Sequence, residues 1–270
     1  MRGETGFVTI GDAEIEIERR GSGQPLLLLP SEDMLEGEAL FVDTLARAFE
    51  VIIPAPPGFG ASNRPDWITA PDDIAYLYLS LLDRLALEAV TVIGCSLGGW
   101  IAAELATTND TRLSRLVLVD PYGIKPGGPS ERDITDIWQL SPQRVAALKW
   151  REPPKAALDT AAESDAALAR KARNLESFAR FCWEPYMHNP KLAYRLGRIG
   201  VPTLMVWGKD DGIVAPAYGE AYRALIPGAT LRVIPAAGHY PHLERPDAFL
   251  AAIGKFLGTP QLAAGTGDAA

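Results

Sequence analysis

The sequence predicts an α/β fold: a doubly wound, mostly parallel sheet with helices on both faces and an inserted helical cap. Three observations predict it. Short runs that are apolar throughout recur along the chain, as strands buried on both faces of a parallel sheet require. Each is followed by a segment with helical spacing, and strand alternating with helix is the doubly wound pattern. The rhythm then lapses between Pro121 and about Gly200, where helical segments follow one another without a strand pattern, and resumes afterwards.

Phe7 to Ile10 and Ala13 to Arg19 alternate apolar and polar residues around Gly11-Asp12, which predicts a β-hairpin. The buried-strand runs are Leu26 to Leu29, Val51 to Ile53, Val90 to Ile93, Leu116 to Val119, Leu204 to Trp207 and Leu231 to Ile234. Helices are expected at about 37–48, 72–86, 97–107, 216–225 and 246–256. The core thus comprises residues 1–120 and 201–257, and the cap 121–200. Trp138, Trp150, Phe178, Phe181, Trp183 and Tyr186 concentrate in the cap, where they would supply aromatic walls to a pocket beneath it. Residues 258–270, rich in Gly, Ala and Thr, read as a disordered tail.

The 270 residues are 47% apolar and 22% charged, enough apolar surface for a full-sized core. A net charge of -8 argues against nucleic-acid or anionic-membrane partners, both of which need a basic face. The start of the chain lacks the apolar core of a signal peptide, and no run has the length of a membrane span. Cys95 and Cys182 form no disulfide or metal framework. The expectation is a cytoplasmic monomer or homodimer acting on a small molecule, with no nucleic acid, membrane, cofactor or metal.

Gly94-Cys95-Ser96-Leu97-Gly98 fits G-x-S-x-G with a buried strand before it and a helix rich in small residues after it. Such a corner strains the serine backbone and lifts its hydroxyl from the sheet, provided the residues two places either side lack bulk. A helix N-cap would explain the serine but leave the glycines without a purpose. A serine hydroxyl needs a base, and the base needs an orienting group. Among three histidines, His239 follows the last predicted strand, on the sheet edge where Ser96 emerges. His242 would pack near the final helix, and His188 lies in the cap, lining the pocket or the surface. For the acid, Asp211 is chosen, with Asp210 in reserve and Asp120 a further candidate that could instead stabilise the turn before Pro121.

These features resemble the α/β-hydrolase superfamily with a helical cap, over residues 7 to 257. GCSLGG, PGFGAS (57–62), VWGKDDGIVAP and AGHYPHLERP (237–246) carry the resemblance. It implies Ser96 as nucleophile, Asp211 as acid and His239 as base, in that chain order. It also implies an oxyanion hole from the backbone of Leu97 with that of Ser31 or Glu32, and a loop at 57–62 that helps shape the site. One departure matters: Pro30-Ser31 stands where relatives have His-Gly, and Glu32 follows. If Glu32 and Asp33 point to solvent, their amides still serve; if not, a carboxylate stands where negative charge develops and hydrolysis is impaired or altered.

The resemblance implies a serine hydrolase of a small, largely apolar carbonyl substrate, with a carboxylic ester favoured. A carbon–carbon hydrolase of aromatic meta-cleavage products is the alternative, for which Arg173, Arg180 and His188 could hold an acidic substrate end. A hydrolase-like binding protein with weak turnover is a further reading, motivated by Pro30-Ser31-Glu32. So is proton-transfer or lyase chemistry in which His239 acts and Ser96 only donates a hydrogen bond.

Overall fold

The structure, a computed structural model, describes residues 3–34, 39–154, 163–259 and 262. Its strands are β1 (Glu4–Ile10), β2 (Ala13–Arg20), β3 (Gln24–Leu29), β4 (Phe49–Pro54), β5 (Val90–Cys95), β6 (Leu113–Val119), β7 (Thr203–Gly208) and β8 (Thr230–Ile234). They form one sheet in the order β1-β2-β4-β3-β5-β6-β7-β8. The β1–β2 hairpin pairs antiparallel, as does β2 with β4, and every later pairing is parallel.

Side chains two apart along each strand enter the same layer. On one face Leu27, Leu29, Val92, Leu116, Leu118, Met205 and Trp207 pack under α2 (Pro71–Arg84) and α3 (Leu97–Thr108). On the other, Leu26, Leu28, Ile93, Val117, Val119 and Val206 meet α1 (Ala39–Leu45) and the C-terminal helix Pro246–Leu257. The expectation of strands buried on both faces holds for β5 and β7. It fails for β8, where only Ile234 is buried, because β8 is the sheet edge and lacks a neighbour on one side.

Between β6 and β7 the described residues contain no named strand. A 3-10 turn at Ile137–Gln139 leads to α4 (Pro142–Lys149), α5 (Asp165–Cys182), α6 (Leu192–Arg195) and a second 3-10 turn at Leu196–Arg198. Ser141 caps α4 and Ser164 caps α5, each accepting a backbone N–H three residues on. After β7 come α7 (Pro216–Leu225), α8 (Pro241–Glu244) and α9, the helix at Pro246–Leu257. Most of the expected tail lies outside the described residues; Leu262, within it, is buried against the layer that α9 helps form.

The connection from β3 leads to β4 on one side, whereas that from β5 leads to β6 on the other. The chain direction therefore reverses between β3 and β5. Loops at the carboxyl ends of parallel strands splay apart at such a point and leave a crevice. The loops after β3, β5, β6, β7 and β8 carry Glu32, Ser96, Asp120, Asp211 and His239 respectively.

Candidate active site

Ser96 occupies the corner between β5 and α3 with φ 54° and ψ -114°, a region non-glycine residues rarely visit. The flanking glycines make the corner sterically feasible. A Cβ on Gly94 would lie 2.4 Å from the Gly98 carbonyl oxygen, and one on Gly98 would lie 2.2 Å from that of Leu29. Gly98 thus brings α3 against the end of β3, setting the serine beside the Pro30–Asp33 loop. The Leu97 amide opens α3, among the first-turn N–H groups that have no partner within a helix.

The Ser96 Oγ lies 2.7 Å from His239 Nε2, and His239 Nδ1 lies 2.7 Å from Asp211 Oδ2. The other Asp211 oxygen accepts the amides of Ile213 and Val214 at 2.7 and 3.1 Å, fixing the carboxylate. Tyr122 stacks on the imidazole at 5.4 Å, and Tyr240 meets it edge-on at 5.2 Å. Ser96, Asp211 and His239 are all buried, so a low-dielectric surround strengthens each of these contacts. Of the other acids, Asp210 is exposed and pairs with Arg151, which removes it from the site.

Asp120 does join the group. Its Oδ1 accepts the Gly208 amide at 3.0 Å, and Asp120, Asp211 and His239 each place a donor atom within 4.8 Å of the others. Such spacing could suit a cation, but the Asp211 oxygens are already committed to the imidazole and two amides. Burial, then the nearby Asp211 charge, pushes the Asp120 carboxyl well above the usual carboxylate range. A protonated Asp120 suits that setting, because two adjacent carboxylates resist ionising together. The sequence left Asp120 open as the orienting acid or as a brace of the turn before Pro121; instead its side chain ties the end of β6 to Gly208 at the end of β7, and Asp211 holds the imidazole.

The region expected to hold an oxyanion differs from the solvent-facing arrangement. Ser31 is fully buried, with its hydroxyl unpartnered among the described residues. Glu32 is 4% exposed, and its Oε1 accepts from Lys149 Nζ at 2.7 Å and Tyr122 OH at 3.1 Å. Lys149 also reaches Asp33 at 2.7 Å, and Tyr240 donates its hydroxyl to the same carboxylate oxygen. Asp33 is part-exposed, but Glu32 is turned inward. Burial, the largest single influence, would raise the Glu32 carboxyl; the Lys149 charge and hydrogen bond, with His239 and the Ser96 hydroxyl, together outweigh it and bring it down to about 2. Glu32 is therefore ionised at neutral pH, bonded to the Tyr122 that stacks on the His239 imidazole.

Lys149 escaped the sequence reading because nothing local marks a lysine at the end of α4 as buried. Geometry explains its place. The last carbonyls of a helix lack intrahelical partners; here Leu148 O accepts the Gly212 amide and Lys149 O accepts that of His239, at 3.0 and 2.6 Å. One helix end therefore grips both the loop of Asp211 and the loop of His239, and it sends its lysine to the loop of Glu32. The only sequence signal was the complementary one: two adjacent carboxylates, Glu32 and Asp33, in the loop expected to hold the oxyanion.

Other expectations divide. His242 packs among Phe41, Tyr240 and Phe249, as the sequence suggested. His188 lines a separate cavity of about 520 Å³ with Ile134, Trp183 and Tyr186, and that cavity includes no triad residue. Arg173 bonds the Ser62 carbonyl at 2.5 Å and Arg180 is exposed. Residues 57–62 hold α5, whose Phe178 stacks on Tyr122: Gly58 O accepts from Ser177 and Gly60 N donates to Asn174. The aromatic wall is real but close-packed, with His239, Tyr122, Phe178, Trp138 and the exposed Trp183 in successive ring contacts.

Comparison with known proteins agrees on the fold. The model of the alpha/beta hydrolase family matches residues 26–252. Polyketide synthase ThaQ of Burkholderia thailandensis is 30% identical over 275 residues; the match takes in 96% of this chain and 13% of that one. A 2-hydroxy-6-oxononadienedioate/2-hydroxy-6-oxononatrienedioate hydrolase of Cupriavidus pinatubonensis is 29% identical, covering 95% of this chain and 96% of the relative. A pimeloyl-[acyl-carrier protein] methyl ester esterase of Photobacterium profundum is 28% identical, over 74% and 81% of the two chains. The hydrolase and the esterase differ in the bond their names specify. The matched span contains the elbow and each loop that converges on it, and the chain belongs to the alpha/beta hydrolase family as a hydrolase enzyme.

Proposed function

We propose that the chain is a serine hydrolase of a small carbonyl substrate, a carboxylic ester, acting through an acyl-enzyme. The single observation that carries the reading is the continuous contact from Ser96 Oγ through the imidazole to Asp211, each step 2.7 Å, at a strained elbow. Asp211 fixes the His239 tautomer and stabilises the imidazolium. His239 takes the Ser96 proton as the hydroxyl attacks the carbonyl, then returns it to the leaving alcohol. Water activated by the same imidazole releases the acid. The Leu97 amide, with that of Ser31 or Glu32, holds the developing oxyanion.

Two observations favour an ester over the acidic dienoates that the Cupriavidus enzyme's name specifies. The arginines and histidine that could have held a substrate carboxylate lie elsewhere, and the charged group beside Ser96 is itself a carboxylate. Release of p-nitrophenol from short-chain esters, compared with cleavage of a ring-fission dienoate, tests the choice. The expected result is ester turnover that Ser96→Ala lowers by at least about 10³-fold. Unchanged turnover in that variant contradicts the mechanism, and a strong dienoate preference contradicts the bond. Glu32 also favours a second reading, a binding protein with weak turnover, since a like charge opposes the oxyanion; failure to cleave any ester while binding one would select it.

A further inference from the structure

Glu32 poses a question the triad does not answer. A buried carboxylate accepts up to four hydrogen bonds, and buried polar oxygens are rarely left without one. Oε1 has two donors, Lys149 and Tyr122, whereas Oε2 has none among the described residues. Tyr122, which donates to Oε1, also stacks on the His239 imidazole that contacts Ser96, so the carboxylate borders the site, and Oε2 is its oxygen left without a donor among the described residues. The charge around it is also unbalanced: Glu32 and Asp33 share the one ammonium of Lys149. Asp211 adds a further acid on the far side of the imidazole.

From this we infer that Glu32 Oε2 is a substrate-recognition acceptor, selecting acyl groups that carry a hydrogen-bond donor, above all an ammonium, on the carbon next to the scissile carbonyl. The position fits, since Gly98 packs against the Leu29 and Pro30 carbonyls and so sets the loop that carries Glu32 beside the elbow. Charge complementarity favours the cation, because an ammonium gives the Glu32–Asp33–Lys149 cluster a second positive partner. A carboxylate at the same position meets an ionised, desolvated like charge, which costs several times what it would in water. The ammonium also draws Glu32 away from the oxyanion, so the group that opposes turnover of a plain ester assists turnover of the right one. This inference rests on the serine-hydrolase reading for the position of the acyl group.

The test uses four benzyl esters that differ only on the α-carbon of a propionate frame: ammonium (alanine), hydroxyl (lactate), methyl (isobutyrate) and carboxylate (the methylmalonate half-ester). For the native protein, kcat/KM is expected to fall in that order, with the ammonium ester about tenfold or more above the methyl ester, as a charge-assisted hydrogen bond provides. Glu32→Gln should reduce that ratio to within about threefold while keeping some hydroxyl preference, because the amide oxygen still accepts. Equal rates for the ammonium and methyl esters in the native protein overturn the inference, as does a carboxylate ester that reacts fastest. Each kcat/KM is divided by the same ester's hydroxide-catalysed rate constant, because an α-ammonium activates the carbonyl by itself; the native series so corrected decides even if the variant does not fold. Binding of the same esters to Ser96→Ala, followed by calorimetry, removes the dependence on chemistry. Ammonium preference there supports the inference even if no ester is cleaved, and indifference sinks it. Ester turnover lost with Ser96 but blind to the α-substituent contradicts only the recognition role, leaving the hydrolase reading intact.

Discussion

At the scale of single residues, the site depends on neighbours that make unfavourable states tolerable. Ser96 holds a strained backbone because Gly94 and Gly98 leave room for it. Gly98→Ala would press a methyl group into the Leu29 and Pro30 carbonyls, which are backbone and cannot swing aside. We expect a loss of about 2–3 kcal/mol in denaturant unfolding, within the range for overpacking, and a larger loss of turnover as the elbow shifts. Asp120 allows a sharper test. Its folded carboxyl titrates above its unfolded value of 3.8. The stabilisation from its protonation is therefore complete below pH 3.8 and declines as pH rises toward the folded value. Asp120→Asn mimics the protonated acid, so its stability should decline less than that of the native protein as pH rises from 4 to 8. Asp120→Ala leaves the Gly208 amide unbonded and should cost about 1–3 kcal/mol at any pH. Parallel melting-temperature profiles in the native protein and Asp120→Asn would contradict the assignment.

At the scale of elements, α4 links the inserted segment to the chemistry. Its carbonyl end holds the Gly212 and His239 amides, and Lys149 holds the Glu32 loop. Removing one partner of a buried ion pair strands the other, so Lys149→Met should destabilise by about 3–5 kcal/mol. Lys149→Met combined with Glu32→Gln should recover much of that loss; additive losses in the double-mutant cycle would show that the pair is not coupled. Acid gives the complementary test. The folded Glu32 carboxyl is depressed from 4.5 to about 2, so its stabilisation is present above pH 4.5 and lost as pH falls toward 2. Elements with a local signature were legible in the sequence. The strands, the elbow and the helices flanking them follow from periodicity and small residues, and their expected bounds fall within a few residues of those observed. The association of α4 with three distant loops was not legible, because a helix terminus states that it needs partners and not which ones. For the same reason β8 read like an interior strand: its apolar run does not disclose that it lies at the edge.

At the scale of the whole molecule, the sheet brings five loops to one rim at the reversal between β3 and β5, and the inserted segment covers them. The meeting of Ser96, His239 and Asp211 was readable; the inward turn of Glu32 was not, since it depends on a lysine 117 residues away. The cover is also tight. Ser96 and His239 are each 1% exposed; Tyr122 stacks on the imidazole and Phe178 on Tyr122. A substrate therefore reaches Ser96 only when these rings move, and opening steps of this kind often limit turnover. Phe178→Ala should speed acylation of Ser96 by bulky reagents more than by small ones; an equal effect on both would place the barrier elsewhere.

The most direct test of the central claim, a serine activated by His239 and Asp211, is covalent labelling with a small fluorophosphonate followed by mass spectrometry of the peptides. The account predicts one adduct, on the peptide containing Ser96, absent from Ser96→Ala and formed at least about 10³-fold more slowly in His239→Ala. Folded native protein that takes up no label, or a His239→Ala variant that labels at the native rate, would contradict it.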